Sequence, residues 1–159
     1  MPGLDDLYRE IILDHYRTPR NRGELPVPPA RHAEGHNPLC GDEITVYLDV
    51  AAVDGVDTIT DVKVGGQGCS ISQSSASMMS QAIKGKPVAE AETLFRRFKS
   101  LMGVGADDDA AGLDEDEVRS LGDLAALQGV VKFPVRIKCA TLAWFTLDDA
   151  LTQAATADS

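Results

Sequence analysis

Apolar residues recur along the chain at two spacings, and each predicts an element. Leu4, Leu7, Tyr8, Ile11, Ile12 and His15 return at steps of three and four, which predicts an amphipathic helix over residues 4–17. His15, on or beside that stripe, reads as a packed or capping residue rather than a ligand. The pattern then breaks. Pro19, Pro26, Pro28, Pro29 and Pro38, with Gly23 and Gly35, predict an irregular connection over 18–38, with room for a short edge strand near Ala33. Strict alternation follows, placing Ile44, Val46, Leu48 and Val50 on one face of a strand over 43–50. A turn at 53–56 returns the chain as a second strand over 58–64, antiparallel because the connection is so short.

Gly65, Gly66 and Gly68 predict a corner after that strand, and Cys69 stands where a helix begins. Ser70 or Ser72 is the expected cap. A thiol at that junction faces the end of a helix dipole that favours negative charge. Ile71, Ser74, Ser75, Met78, Met79, Ala82 and Ile83 share one face of this helix, and Gly85 ends it. Pro87 opens another, with Val88, Ala91, Leu94, Phe95, Phe98, Leu101 and Met102 inward and Arg96, Arg97 and Lys99 on a solvated face. A break over 103–112 and a run of seven carboxylates between 107 and 117 read as a solvated insertion. The one-residue alternation of a calcium loop is missing there. A helix with Val118, Leu121, Leu124 and Leu127 inward follows, then a last one from about Arg136 carrying Ile137, Ala140, Trp144, Leu147, Leu151 and Ala154.

Composition narrows the function. At 159 residues the chain has the length of one domain, and the net charge of −10 argues against a nucleic-acid backbone as partner. No apolar run reaches membrane-spanning length, and the acidic start, Leu4-Asp5-Asp6, is unlike a secretory leader. The three cysteines, Cys40, Cys69 and Cys139, are odd in number and widely spaced, which fits reducing cytoplasm and metal or catalytic use better than a disulfide framework.

Cys40 and Asp42 precede the first predicted strand, and Cys69 follows the second. Antiparallel pairing therefore brings those two ends to one edge of the sheet. Cys139 falls near the start of the last helix. Three thiols and one carboxylate suit a tetrahedral, borderline-soft cation such as zinc, and the same thiols could hold an iron–sulfur cluster. Three unrelated buried cysteines is the other reading of this spacing, since no pair is separated by two residues. His36 is a spare ligand candidate or an exposed loop histidine.

The segments Asn37-Pro38-Leu39-Cys40-Gly41-Asp42, Gly66-Gln67-Gly68-Cys69-Ser70-Ile71-Ser72 and Arg136-Ile137-Lys138-Cys139-Ala140 resemble the three motifs of the iron–sulfur assembly scaffold family. That family comprises the IscU and NifU N-terminal-like proteins, and the resemblance, almost end to end, is closest to the SufU branch. It implies one α+β domain over 1–159, a small antiparallel sheet covered on one face by helices, with an insertion at about 103–125. It implies Cys40, Asp42, Cys69 and Cys139 as metal ligands, and Cys40 as the acceptor of sulfur. Lys138 stands where the IscU branch has histidine, and Lys132-Phe133-Pro134-Val135-Arg136 differs from that branch's chaperone-recruiting segment. Both departures favour a zinc-bearing sulfur carrier.

The activity so implied is transfer of persulfide sulfur from a pyridoxal-phosphate-dependent cysteine desulfurase of the SufS type toward a downstream iron–sulfur scaffold or apoproteins, without nucleic acid or membrane. Arg136, one turn before Cys139, orients the incoming persulfide, pairs with Asp42, or is a surface cation. Two alternatives stay open: a scaffold that assembles a [2Fe–2S] cluster on the same four residues, and a structural zinc domain that activates the desulfurase.

Overall fold

Alternating strands and periodic helices settle into a three-stranded sheet with helices on one side. The computed structural model describes residues 2–27, 30–38, 41–103 and 115–157. In chain order these form α1 (Pro2–Arg17), β1 (Arg31–Asn37), β2 (Asp42–Val53), β3 (Val56–Gln67), α2 (Ser70–Ile83), α3 (Val88–Met102), α4 (Glu115–Ser120), a run of 3₁₀ turns (Gly122–Lys132) and α5 (Pro134–Ala157). The sheet order is β1-β2-β3, antiparallel throughout.

Alternation decides which face is covered. Ala33, Ile44, Val46, Leu48, Val62 and Val64 point inward and are buried, while His32, Glu34 and Glu43 stay exposed. Ile59 is buried too, although it is out of phase with Val62 and Val64. The register explains this. Asp49 pairs with Asp61 but Val50 with Ile59, so Thr60 is the extra residue of a bulge. The extra residue resets the phase, and both halves of β3 keep their apolar side on the core. The edge strand expected only near Ala33 is a full seven-residue strand, with Ala33 and Asn37 buried and His36 outward.

The glycine corner lies later than its sequence suggests. β3 continues through Gly65 and Gly66 to Gln67, and Gly66 pairs with Ile44. Gly66 has φ 111°, and a Cβ there would strike the carbonyl of Glu43. Only glycine lets the two backbones approach so closely at that angle.

Helix α2 packs against α1, α5 and β3 and is buried on most of its circumference, from Ser72 to Ser80 without interruption. Its serines make that possible: they are small, and their hydroxyls find partners, as when Ser75 donates to the Ala140 carbonyl at 2.5 Å. The single tryptophan is core as expected, fully buried with Phe95 and Phe98 stacked on it at ring-centroid distances of 5.6 and 5.7 Å.

The helix expected over the leucines after the acidic run is two elements. α4 buries none of its residues, and the chain then proceeds in 3₁₀ turns. Leu121, Leu124, Leu127 and Val130 recur every three residues and all are buried. A period of three matches 3₁₀ geometry, where side chains at i and i+3 eclipse, better than the 3.6 of an α-helix. The residues from Gly129 to Lys132 belong to the same run. Arg97 is more than a solvated cation: it reaches Glu117 at 3.6 Å and Ser120 at 2.9 Å, fastening α3 to α4. Residues 104–114 of the expected insertion, including Asp107, Asp108 and Asp109, lie outside the described residues. α5 starts at Pro134, two residues earlier than expected, with proline at the helical position that needs no N–H donor.

Candidate metal centre

Three elements deliver three ligand-type side chains to one point. Asp42 opens β2, Cys69 is the residue on which α2 begins, and Cys139 lies in the second turn of α5. One carboxylate oxygen of Asp42 and the two sulfurs all lie within 4.8 Å of one another. Asp42 and Cys139 are buried, at 1% and 0% exposure, and Cys69 is half-buried. Cys139 is thus a helix-interior residue rather than one at the helix start.

The sequence builds this meeting locally. Antiparallel pairing sets the start of β2 against the end of β3, with Glu43 opposite Gln67, so Asp42 and the residues after Gln67 are neighbours. Gly68 then completes the approach. A Cβ at Gly68 would strike Asp42 Oδ1 and come within 2.6 Å of Ser72 Oγ, so any side chain there would displace the carboxylate. With that path clear, the Cys69 backbone N–H donates to Asp42 Oδ1 at 2.9 Å. Ser70 and Ser72 do not cap α2: Ser70 is its first residue, and the Ser72 hydroxyl donates to the Cys69 carbonyl at 3.1 Å.

Burial pushes the Asp42 carboxyl toward its neutral form. Hydrogen bonds from the Cys69 backbone N–H, then from the Cys139, Ser72 and Cys69 side chains, outweigh that and hold it below the ordinary carboxylate value. Asn37, paired with Asp42 in the β1–β2 register and only 5% exposed, turns its side-chain amide into the same space. Its Nδ2 lies 3.4 Å from Asp42 Oδ2 and 3.6 Å from Cys139 Sγ. The donor set fits a borderline-soft cation: two sulfurs and a carboxylate oxygen, buried, ionisable and close enough to share one ion.

Asp42, Cys69 and Cys139 are brought together as the sequence suggested. Cys40 lies outside the described residues, in the four-residue connection between Asn37 and Asp42. His36 stands on the outward face of β1, opposite Glu43 and exposed, away from the cluster. Arg136 is exposed in the first turn of α5 and borders an open groove of about 660 Å³ that also touches Tyr8, Ile12, Ser70, Ile71 and Phe133. Sequence reasoning missed Asn37 and the reason for Gly68. The signal for Asn37 was present: once residues 31–37 are read as a strand, Ala33 and Asn37 fall on its inward face.

The site and the fold have known counterparts. Residues 7–140 match the model of the NifU-like N terminal domain. The chain is 45% identical over 150 residues to the zinc-dependent sulfurtransferase SufU of Bacillus subtilis (strain 168), covering 94% of this chain and 92% of that one. It is 36% identical to the iron–sulfur cluster assembly scaffold protein IscU of Streptococcus pyogenes serotype M1, covering 97% and 88%. Among solved structures, a putative iron–sulfur cluster assembly scaffold protein for the SUF system from Fervidobacterium islandicum AW-1 superposes with a TM-score of 0.73 at 33% identity, covering 89% and 94%. Among the described residues no helix is long and apolar enough to cross a membrane.

Proposed function

The chain belongs to the NifU-like N-terminal domain family, and from that membership and its site we propose that it is a zinc-dependent sulfur carrier for iron–sulfur cluster assembly. The observation that carries this reading is the cluster of Asp42, Cys69 and Cys139 within 4.8 Å, two residues along the chain from a third cysteine, Cys40. These four residues would hold the ion. Zinc bound there would keep the thiols deprotonated at neutral pH without changing oxidation state.

Cys40 is the acceptor. Its thiolate attacks the outer sulfur of a persulfide presented by a pyridoxal-phosphate-dependent cysteine desulfurase. The new S–S bond forms on Cys40 Sγ while the donor's S–S bond breaks, and the electron pair leaves with the donor cysteine as thiolate. No external oxidant or reductant is needed. Cys40 is favoured for this exchange because the other two thiols are held in helical framework, Cys69 at the start of α2 and Cys139 within α5. Arg136, which lines the same groove as Ser70, would steer the incoming negative persulfide. The product passes to an iron–sulfur scaffold or an apoprotein.

The test is labelled cysteine with a desulfurase, followed by non-reducing electrophoresis. Label on the wild-type chain and none on Cys40→Ser supports the reading; label retained on Cys40→Ser but lost from Cys69→Ser or Cys139→Ser overturns it. The likeness to proteins named as scaffolds favours a second reading, assembly of a [2Fe–2S] cluster on the same residues. Anaerobic iron and sulfide addition distinguishes the two: stable visible absorption that transfers to an apoprotein selects the scaffold.

A further inference from the structure

We propose that Asn37 is a positioning residue of the metal centre, whose single amide holds the oxygen ligand and a sulfur ligand at the separation one ion needs. This rests on the reading of Asp42 and Cys139 as ligands. Asn37 ends β1 directly opposite Asp42, and at 5% exposure its side chain has nowhere to go but inward. An amide nitrogen has two hydrogens and no lone pair to offer, so it can serve two acceptors together. The two it faces are Asp42 Oδ2 at 3.4 Å and Cys139 Sγ at 3.6 Å. The first distance is long for N–H···O, whereas 3.6 Å is within reach for a donor to the larger sulfur atom.

The division of labour at Asp42 is informative. Oδ1 is held by the Cys69 backbone N–H and Oδ2 faces Asn37, while the Cys139, Ser72 and Cys69 side chains also bond the carboxylate. The carboxylate therefore has one oxygen fixed by a framework that no side-chain change can remove. The other faces a replaceable amide, the one group that contacts both that oxygen and the buried thiol of Cys139. With an ion bound, that amide would lower the electron density on the Cys139 sulfur and keep Asp42 from rotating. It would thereby preserve the Asp42–Cys139 half of the site while Cys40 exchanges.

The experiment uses the full chain, metal-free and then titrated with Co²⁺ as a spectroscopic stand-in for zinc. Three forms are compared: wild type, Asn37→Leu, which keeps the volume without a donor, and Asn37→Ser, which keeps one donor. Affinity for Co²⁺ is expected to fall about 10–100-fold in Asn37→Leu, the usual cost of losing a partner that orients a ligand. The sulfur-to-cobalt charge-transfer band is expected to move to longer wavelength, since a thiolate without its hydrogen bond is the easier electron donor. Asn37→Ser should recover part of both changes. A lower melting temperature of the metal-free chain, with affinity and band unmoved, would show that Asn37 only packs, and would overturn the assignment. So would loss of Asn37→Leu to misfolding together with wild-type affinity and spectrum in Asn37→Ser. A wild-type chain that takes up no Co²⁺ or Zn²⁺ would sink the metal centre and this inference together. Wild-type uptake with indifferent variants removes the inference alone.

Discussion

Two buried polar clusters lie along α2, and they differ in what their side chains could hold. Midway along the helix, Ser77 meets His15 Nδ1 at 2.7 Å and accepts the Arg20 backbone N–H at 2.8 Å, while His15 Nε2 meets Asp123 at 2.8 Å. Every contact there is short, and one imidazole ties α1, α2 and the 3₁₀ run together. At the start of the same helix, in the Asp42–Cys69–Cys139 cluster, the Cys69 backbone N–H reaches Asp42 at 2.9 Å, Asn37 makes longer contacts of 3.4 and 3.6 Å, and the Cys139, Ser72 and Cys69 side chains also bond the carboxylate. The histidine cluster has the composition of a catalytic triad, but its base and hydroxyl are closed off: His15 is fully buried and Ser77 only 2% exposed, with Asp123 alone at the surface. It is a fastener. Ligand types alone therefore do not identify a site; two thiols and a carboxylate close enough to share one ion do.

Removing a thiol gives the largest effect if this contrast holds. Cys69→Ser and Cys139→Ser should each lose more zinc affinity than the roughly 10–100-fold typical of outlying partners, because a hydroxyl is a poor soft-metal ligand. Competitive chelator titration measures this, and strong chelation should lower the wild-type melting temperature while leaving helices by circular dichroism. Asp42→Ala keeps the thiols, so sulfur acceptance should drop without vanishing. An inert Cys139→Ser would erase the distinction between the clusters.

His15→Ala should do the converse. It should cost about 2 kcal/mol or more of folding stability by leaving the Ser77 hydroxyl and Asp123 without the imidazole, with zinc affinity unchanged. Denaturant melts of the zinc-free chain read the first quantity. A parallel loss of zinc affinity would show that the two clusters are coupled through α2.

Smaller is the acid response of the metal-free site. Asp42 is depressed in the fold, so the unfolded chain binds its proton first as pH falls. Its contribution is complete above the ordinary carboxylate range and is lost as pH drops through the lower folded value. A carboxyl NMR titration that places Asp42 above ordinary aspartate would reverse the sign. Smallest of all, changing Asp107, Asp108 and Asp109 together to Asn should move stability by no more than about 0.5 kcal/mol, since carboxylates adjacent in sequence mainly repel one another.

Much of this contrast was legible in sequence, for specific reasons. Alternation from Ile44 to Val50 exposes a half-buried strand directly, and the short hairpin forces the ends bearing Asp42 and Cys69 together. Cys139 joined them only through resemblance, because nothing local says which part of the sheet a helix will cross. β1 was obscured by its glycine, histidines and flanking prolines, which carry little strand propensity; its place is fixed by α5 and β2. The 3₁₀ run was hidden in plain spacing, since leucines every third residue also pass as a helical stripe. Asn37 and Gly68 depend on distances between strands that no single segment encodes.

The separation of the ligand groups along the chain has a consequence for biosynthesis. Asp42 and Cys69 are 27 positions apart, but Asn37 and the Cys139 it touches are 102 apart. A nascent chain emerging from the ribosome can assemble the hairpin and the start of α2 long before its last ligand exists outside the exit tunnel. An ion captured earlier would have fewer of its ligands and would exchange readily. Stable loading thus waits on the arrival of α5, and a chain truncated before it should be unable to retain the metal, even with the sheet complete.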